Sequence, residues 1–501
     1  MNLYHAFYQA TRSNPEAELL STPEGVRFSY LDMERESARV ANYLVSLGLE
    51  PGDRVSVQVE KSPQMLWLYL ACLRAGLVFH PLNTAYALEE MRYFLGNAEP
   101  RLLVCDSDKL HRYAALCAEA DIPHLKTLDA NGQGSLIDES AGAPTEFETV
   151  PTDGSTLAAL LYSSGTTGRP KGIMLSHNNL RANAEALITL WGFSETDVLL
   201  HALPIYHVHG LFVAIHCVLL SGASMRWLPG LDIATVREQL PDCTVMMGVP
   251  TYYTRLLAAP EFGVADCSRM RLFISGSAPL LRETFDAFAE RTGHFILERY
   301  GMTETGMNTS NPLNGERRAG TVGLPLSGVE VRVCDNEHQP LPTGVIGELH
   351  VRGPNVFSGY WRMPEKTAAD FCDGNWFITG DQASISEDGY VSIVGRSKDM
   401  VITGGLNVYP KEVETLINDL PGVRESAVFG VPHPDFGEAV VATIVTDGTV
   451  ILDEQSVQAA LGDRLAKFKT PKRIDFAEGL PRNAMGKVQK NRLREQWSRP
   501  F

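Results

Sequence analysis

Nowhere in the 501-residue sequence do about 18 apolar residues run together, so no membrane-spanning helix is expected. The opening residues, Met1-Asn-Leu-Tyr-His-Ala-Phe7, lack the basic start and long apolar core of a secretory leader, which favours a cytoplasmic protein. Cysteines number 8, lie far apart and form no C-x-x-C pair. Such spacing supports neither a disulfide framework nor a zinc site and suits buried thiols in a reducing compartment. Basic residues are the minority: 44 Lys and Arg against 60 Asp and Glu, a formal net charge of −16. That balance repels nucleic acid and anionic membranes, so neither is an expected partner. Any site for an anionic substrate must then be made positive locally. Internal repeats are also absent.

What is present is the composition of a globular enzyme, 44% hydrophobic and 21% charged. The length exceeds what one hydrophobic core supports, so at least two domains are expected. Arg54-Val-Ser-Val-Gln-Val59 reads as a strand, Met65–Gly76 as a helix closed by glycine, and Leu77-Val-Phe-His-Pro81 as the next strand. The rhythm returns at Arg101–Cys105, Val198–Leu203, Thr244–Val249 and Arg271–Ser275, which argues an α/β fold with substantially parallel sheets. Ligands in such folds collect beyond the C-terminal ends of strands. The polar stretch from Asp129 to Ser155 reads as a surface loop. Past Gly320 shorter strands such as Gly347–Arg352 and Tyr390–Val394 indicate a β-rich subdomain. A third style begins near Ser397, which sets the expected domains at 1–396 and 397–501.

Chemistry concentrates in Leu161-Tyr-Ser-Ser-Gly-Thr-Thr-Gly-Arg-Pro-Lys-Gly172. Its glycines let backbone N–H groups approach an oxyanion, its four serine and threonine hydroxyls donate further bonds, and Lys171 adds charge. The run is a phosphate clamp, yet G-x-x-x-x-G-K-[ST] cannot be threaded through Gly165, Gly168 and Lys171. Five further clusters accompany it. Leu203-Pro-Ile-Tyr-His-Val-His-Gly210 holds a histidine pair without a carboxylate or cysteine at ligand spacing, so it suits a pocket wall better than a metal. Arg299-Tyr-Gly-Met-Thr-Glu-Thr305 sets an aromatic face, a hydroxyl and a carboxylate together, suited to a purine, a phosphate and Mg2+. Trp376-Phe-Ile-Thr-Gly-Asp381 can present a carboxylate to a ribose. The last two are Gly395-Arg-Ser-Lys-Asp-Met-Val-Ile-Thr-Gly-Gly405 and Pro481-Arg-Asn-Ala-Met-Gly-Lys487.

In this order, over essentially the whole chain, these runs resemble the adenylate-forming superfamily of acyl-CoA synthetases, adenylation domains and luciferases. The resemblance implies a large N-terminal domain of α/β subdomains with a β-rich subdomain, and a small mobile α+β C-terminal domain. It also implies two half-reactions. A carboxylate attacks the α-phosphate of ATP to give acyl-AMP and pyrophosphate, and the thiol of CoA then displaces AMP. By position, Ser163, Thr166, Thr167 and Lys171 are similar to the phosphate loop. Gly276, Ser277 and Ala278 resemble the adenine and acyl-pocket wall, and Tyr300, Gly301 and Met302 the purine-binding strand. Thr303 and Glu304 look like the phosphate and Mg2+ residues, Asp381 and Arg396 like the ribose contacts. Lys398 falls at the hinge, Gly404 and Gly405 face the CoA channel, and Lys487 resembles the lysine that bridges carboxylate and phosphate. Related synthetases are silenced by acetylation there, so a lysine acetyltransferase and deacetylase are further implied partners of a monomer or homodimer.

The runs His201–Phe212, Met247–Leu257 and Leu297–Ser310 closely resemble malonyl-CoA synthetases. That resemblance matches Arg255 and Ser277 to the positions holding a distal carboxylate, with His207 nearby, and Val208 and Met307 to those beside the malonate C2 carbon. Val208 replaces a threonine frequent in the family, which puts tolerance for methylmalonate in doubt. Arg255 stands among Tyr252, Tyr253, Leu256 and Leu257, where a buried guanidinium would need an anionic partner. On that footing its removal should cost a dicarboxylate at least ~2 kcal/mol. The alternative is that Arg255 faces solvent from an amphipathic helix. The resulting expectation is a malonate–CoA ligase, with a ligase for methylmalonate or another short acid as the alternative. An ATP-dependent kinase would need signatures absent here, a carrier-loading module would be followed by a carrier domain, and intact Lys487 and Glu304 argue against a non-catalytic nucleotide binder.

Overall fold

The computed structural model describes residues 1–163, 170–403, 406–462, 464–483, 486–497 and 501, with Asn407 by its backbone alone. Four sheets order the chain. The first has six strands, in the spatial order His124–Thr127, Leu102–Cys105, Arg54–Gln58, Val78–Pro81, Leu157–Ser163 and Lys171–Ser176. All neighbours are parallel except the last two, which run antiparallel and pair Ser163 with Lys171. The second sheet has nine strands. Its centre is parallel and includes Val198–His201, Val245–Gly248, Leu272–Ser275 and Leu297–Met302, while antiparallel strands finish both edges.

Between these sheets runs the helix Pro63–Arg74, where every residue from Met65 to Arg74 is buried. Ser62 caps it by accepting from the Met65 N–H, and proline at its start forfeits no hydrogen bond. Gly76 ends it at φ +71°, a left-handed turn in which the Leu77 N–H reaches the Cys72 carbonyl at 2.8 Å. The strands and helix expected from periodicity are therefore present, with ends shifted by a residue or two.

One segment differs. The stretch expected to be a plain loop contains the helix Ser135–Ser140, whose Leu136 is buried. It then straps onto the body: Asn42 Nδ2 donates to the carbonyls of Pro144 and Glu146, and Arg74 Nη2 to that of Phe147. Few apolar residues are needed when backbone carbonyls supply the adhesion.

Five antiparallel strands form the third sheet, among them Glu330–Cys334, Gly347–Arg352, Trp376–Ile385 and Val391–Arg396. A single 3-10 turn, Ser397–Asp399, follows, and Val401–Thr403 opens the fourth sheet with a hydrophobic core of its own. No helix among the described residues is long and apolar enough to cross a membrane.

Candidate active site

Strand ends meet on one side of the two large sheets. Ser163 is the last residue of its strand and Lys171 the first of the antiparallel partner, so the strand after the clamp run pairs back onto the strand before it. A Walker loop leads from strand to helix, so the topology agrees with the failed motif match. Thr166 and Thr167 lie outside the described residues, as do Gly404 and Gly405. Lys171 is half-buried, 3.9 Å from Asp370 and 4.8 Å above the Tyr360 ring. Burial lowers its pKa, as does neighbouring Lys366, while Asp370 and Glu304 oppose them.

Across the cleft, Tyr300, Gly301, Met302 and Thr303 leave the strand Leu297–Met302 and turn back at Gly306. Gly301 has no alternative there, because a Cβ would stand 2.1 Å from the Gly306 carbonyl oxygen. Tyr300 donates its hydroxyl to Asp381 at 2.5 Å, and Arg396 Nε lies 2.7 Å from the other Asp381 oxygen. Three expected nucleotide contacts are thereby joined in one network. Glu304 is buried, and burial raises its pKa against the pull of its own backbone N–H, Arg396 and Lys171. A carboxylate so placed, next to the Thr303 hydroxyl, fits a hard divalent cation, whose charge would offset the burial.

Lys487 follows Gly486, whose Cβ position lies 3.3 Å from Thr251 at the start of the helix Pro250–Ala258. The turn is closed by Asn483, which donates its N–H to the Lys487 carbonyl and accepts from the Lys487 N–H, both at 2.9 Å. Crowding lowers the ammonium's pKa and Arg396 adds to it, opposed by Asp381, Asp399 and Glu304. Lys487 nonetheless remains open to solvent, which moderates the effect. Lys398, exposed in the connecting turn, is brought down to about 8, chiefly by desolvation and then by Arg396.

The acyl side is built on a strained base. Ser277 adopts φ +71°, a conformation costly for a residue with a side chain, and its hydroxyl lies 3.3 Å from His209 Nδ1. Gly276 and Ala278 flank it. The wall continues through a seven-residue π-helix, His209–Ile215, whose wide turn places Val208 and His209 inside. Met307 is buried and pinned by Asn183, which bonds both its N–H and its carbonyl. His207 is pulled down to about 4 by burial, Arg299 and Lys487, so its imidazole is neutral at pH 7.

The buried setting expected for Arg255 is not found. It is exposed on the helix Pro250–Ala258, one turn beyond Thr251 and so on the face that meets the Lys487 turn. The buried cation beside the acyl wall is Arg299, only 3% exposed, with Nε and Nη2 lacking any hydrogen-bond partner among the described residues. It stands against Gly276, whose Cβ would lie 2.4 Å from its Cζ. Burial brings its pKa down to about 9, still charged at neutrality. Sequence reasoning gave Arg299 no role, although two adjacent charged residues, Glu298 and Arg299, inside a strand with no exposed residue were a usable signal.

Five of the six histidines buried among the described residues, His80, His177, His201, His209 and His216, have pKa values lowered by desolvation, His177 to about 4 and His80 and His216 to about 3. Between pH 6.5 and 4 the unfolded chain protonates them and the folded chain does not, so stability falls as pH falls through that window. Each group protonated only when unfolded contributes up to about 1.4 kcal/mol per pH unit. Urea midpoints should therefore hold near pH 7.5 and decline as pH falls from about 6.5 to 5. A flat profile would show that these imidazoles are charged in the fold.

The sequence matches the AMP-binding enzyme family over residues 7–361 and the AMP-binding enzyme C-terminal domain over residues 412–487. Among solved structures, ATP-bound MatB from Rhodopseudomonas palustris superposes with a TM-score of 0.96 at 52% identity, covering 99% of both chains. A malonate–CoA ligase from Arabidopsis thaliana is 33% identical over 482 residues, 89% of this chain and 78% of the relative. A feruloyl-CoA synthase from an Amycolatopsis species is 34% identical over 479 residues, 94% of each. Relatives at near-equal identity thus differ in their acids, and the pocket has to decide.

Proposed function

The chain belongs to the AMP-binding enzyme family, and from that premise we propose that it ligates malonate to CoA, with ATP cleaved to AMP and pyrophosphate through malonyl-AMP. The enzyme is an AMP-forming acid–thiol ligase. The observation that carries the choice of acid is Arg299, a buried guanidinium without an ion-pair partner among the described residues, behind the Gly276–Ser277 wall. A pocket for plain fatty or aromatic acids has no use for such a charge, whereas the second carboxylate of malonate neutralises it. Arg255 at the rim adds a second cation on the path inward, and neutral His207 and His209 neither compete for the anion nor repel the arginine.

In adenylation, residues 1–396 bind both substrates. Ser163, Thr166, Thr167 and Lys171 hold the phosphates, Tyr300 covers the purine, and Asp381 and Arg396 hold the ribose. Glu304 and Thr303 would hold Mg2+, which when bound shields the triphosphate's negative charge. Lys487 lowers the repulsion between the attacking carboxylate and the α-phosphate. For thioester formation residues 397–501 turn about Lys398, withdrawing Lys487 and bringing Gly404 and Gly405 towards the CoA channel. Val208 and Met307 bound the space beside C2, so methylmalonate is the second acid to consider.

The test is ATP–pyrophosphate exchange without CoA. Malonate should support exchange at least tenfold faster than butyrate or acetate. Equal exchange with monocarboxylates would leave the ligase class intact and remove malonate as the substrate.

A further inference from the structure

Three side chains that the sequence keeps far apart converge on the third sheet. His338, His350 and Cys372 bring their ligand atoms within 4.8 Å of one another. His350 is fully buried on the central strand Gly347–Arg352, and its Nδ1 lies 3.6 Å from Cys372 Sγ on the short strand Phe371–Cys372. His338 occupies the turn after Glu330–Cys334 at φ +63°, a left-handed conformation that costs a side-chain-bearing residue about 1–2 kcal/mol. Asp335 fixes that turn by accepting from the N–H groups of Glu337 and Gln339, each at 2.9 Å. The His338 ring is thereby held 5.3 Å from that of His350. His338 Nδ1 and His350 Nε2 are both buried without a hydrogen-bond partner among the described residues. Orphaned polar atoms of this kind cost about 1–3 kcal/mol each.

We propose that His338, His350 and Cys372 form a three-ligand site for a thiophilic divalent cation of the Zn2+ type, outside the nucleotide cleft, with a fourth position open to water. Two imidazoles and a thiolate are the donor set such ions select. Bonds of about 2.0–2.3 Å in a tetrahedron separate ligand atoms by roughly 3.3–3.8 Å, so small side-chain rotations close the site. The surroundings complete it. Glu348 Oε2 lies 3.9 Å from His350 Nε2, close enough to take up that N–H by a small rotation once Nδ1 ligates. Arg332 Nη2 donates to Cys372 Sγ at 3.5 Å, which holds the sulfur in place. On binding, the metal–sulfur bond replaces the S–H bond and the proton leaves to solvent. Glu348 also accepts from Ser397 Oγ at 3.2 Å, so the site stands one hydrogen bond from the turn that contains Lys398.

The experiment is a Co2+ titration of the chelator-treated full chain, followed by the thiolate-to-cobalt absorption and by Zn2+ displacement. One equivalent should bind with micromolar or tighter affinity, weakened at least tenfold in Cys372→Ser and in His338→Asn. Both residues are partly exposed, and asparagine tolerates the left-handed turn, so these variants should fold; metal-free melting curves check that they do. Cys334→Ser, altering a thiol outside the ligand set, should leave binding unchanged. Absence of the absorption in the wild type, or equal binding by Cys372→Ser, would overturn the site.

Discussion

Lys487→Gln should lower malonate-dependent pyrophosphate release at least ~100-fold while sparing thioester formation from supplied malonyl-AMP and CoA. The magnitude follows from removing one preorganised charge at a developing anionic centre, which elsewhere costs about 10²–10³ in rate. The selectivity follows from place. Lys487 lies where Arg396, Asp381 and Glu304 all act on its charge, so it belongs to the nucleotide end of the cleft as the domains stand here. Its turn is closed by Asn483 through bonds to the Lys487 backbone, so the neutral side chain should leave the fold intact. Stopped assays of each half-reaction separate the outcomes, and equal loss of both would refute the division of labour. Acetylation removes the same charge, so an acetylated chain should behave like Lys487→Gln.

Arg299→Met should lower kcat/KM for malonate by at least ~30-fold, the low end of the ~2–5 kcal/mol lost when one partner of a desolvated charge pair is removed. Methionine keeps much of the volume against Gly276, and activity with butyrate should rise or hold. Arg255→Ala should cost far less, on the order of a few-fold, because an exposed ion pair contributes about 0–1 kcal/mol. The order of the two effects is informative. A larger loss at Arg255 than at Arg299 would mean that the rim arginine folds inward over the bound acid and holds the distal carboxylate itself.

The residues proposed for the nucleotide could be named from the sequence because they sit in contiguous runs, several of which map onto strand ends. Tyr300, Asp381 and Arg396 lie far apart in sequence, yet the motifs containing them could be read singly before the structure joined them. The acyl half was less legible. On a nine-residue helix such as Pro250–Ala258, a few apolar neighbours do not reveal which face is covered, so Arg255 was expected inside. Arg299 is packed against Gly276, which follows a different strand, a contact that no local window contains. The same reason hid the histidine–cysteine cluster: the absence of a C-x-x-C pair excludes only ligands close in sequence, and these three come from separate turns and strands. The strap after Asp129 was misread because its anchors are backbone carbonyls, which carry no sequence signature.

AMP formation in the presence of CoA and Mg-ATP, compared across malonate, methylmalonate, succinate, acetate and butyrate, tests the central assignment most directly. Malonate should give the highest kcat/KM, methylmalonate should come second, and the monocarboxylates should lag by at least tenfold. Acetate or butyrate in first place would contradict a pocket organised around Arg299 and a second carboxylate.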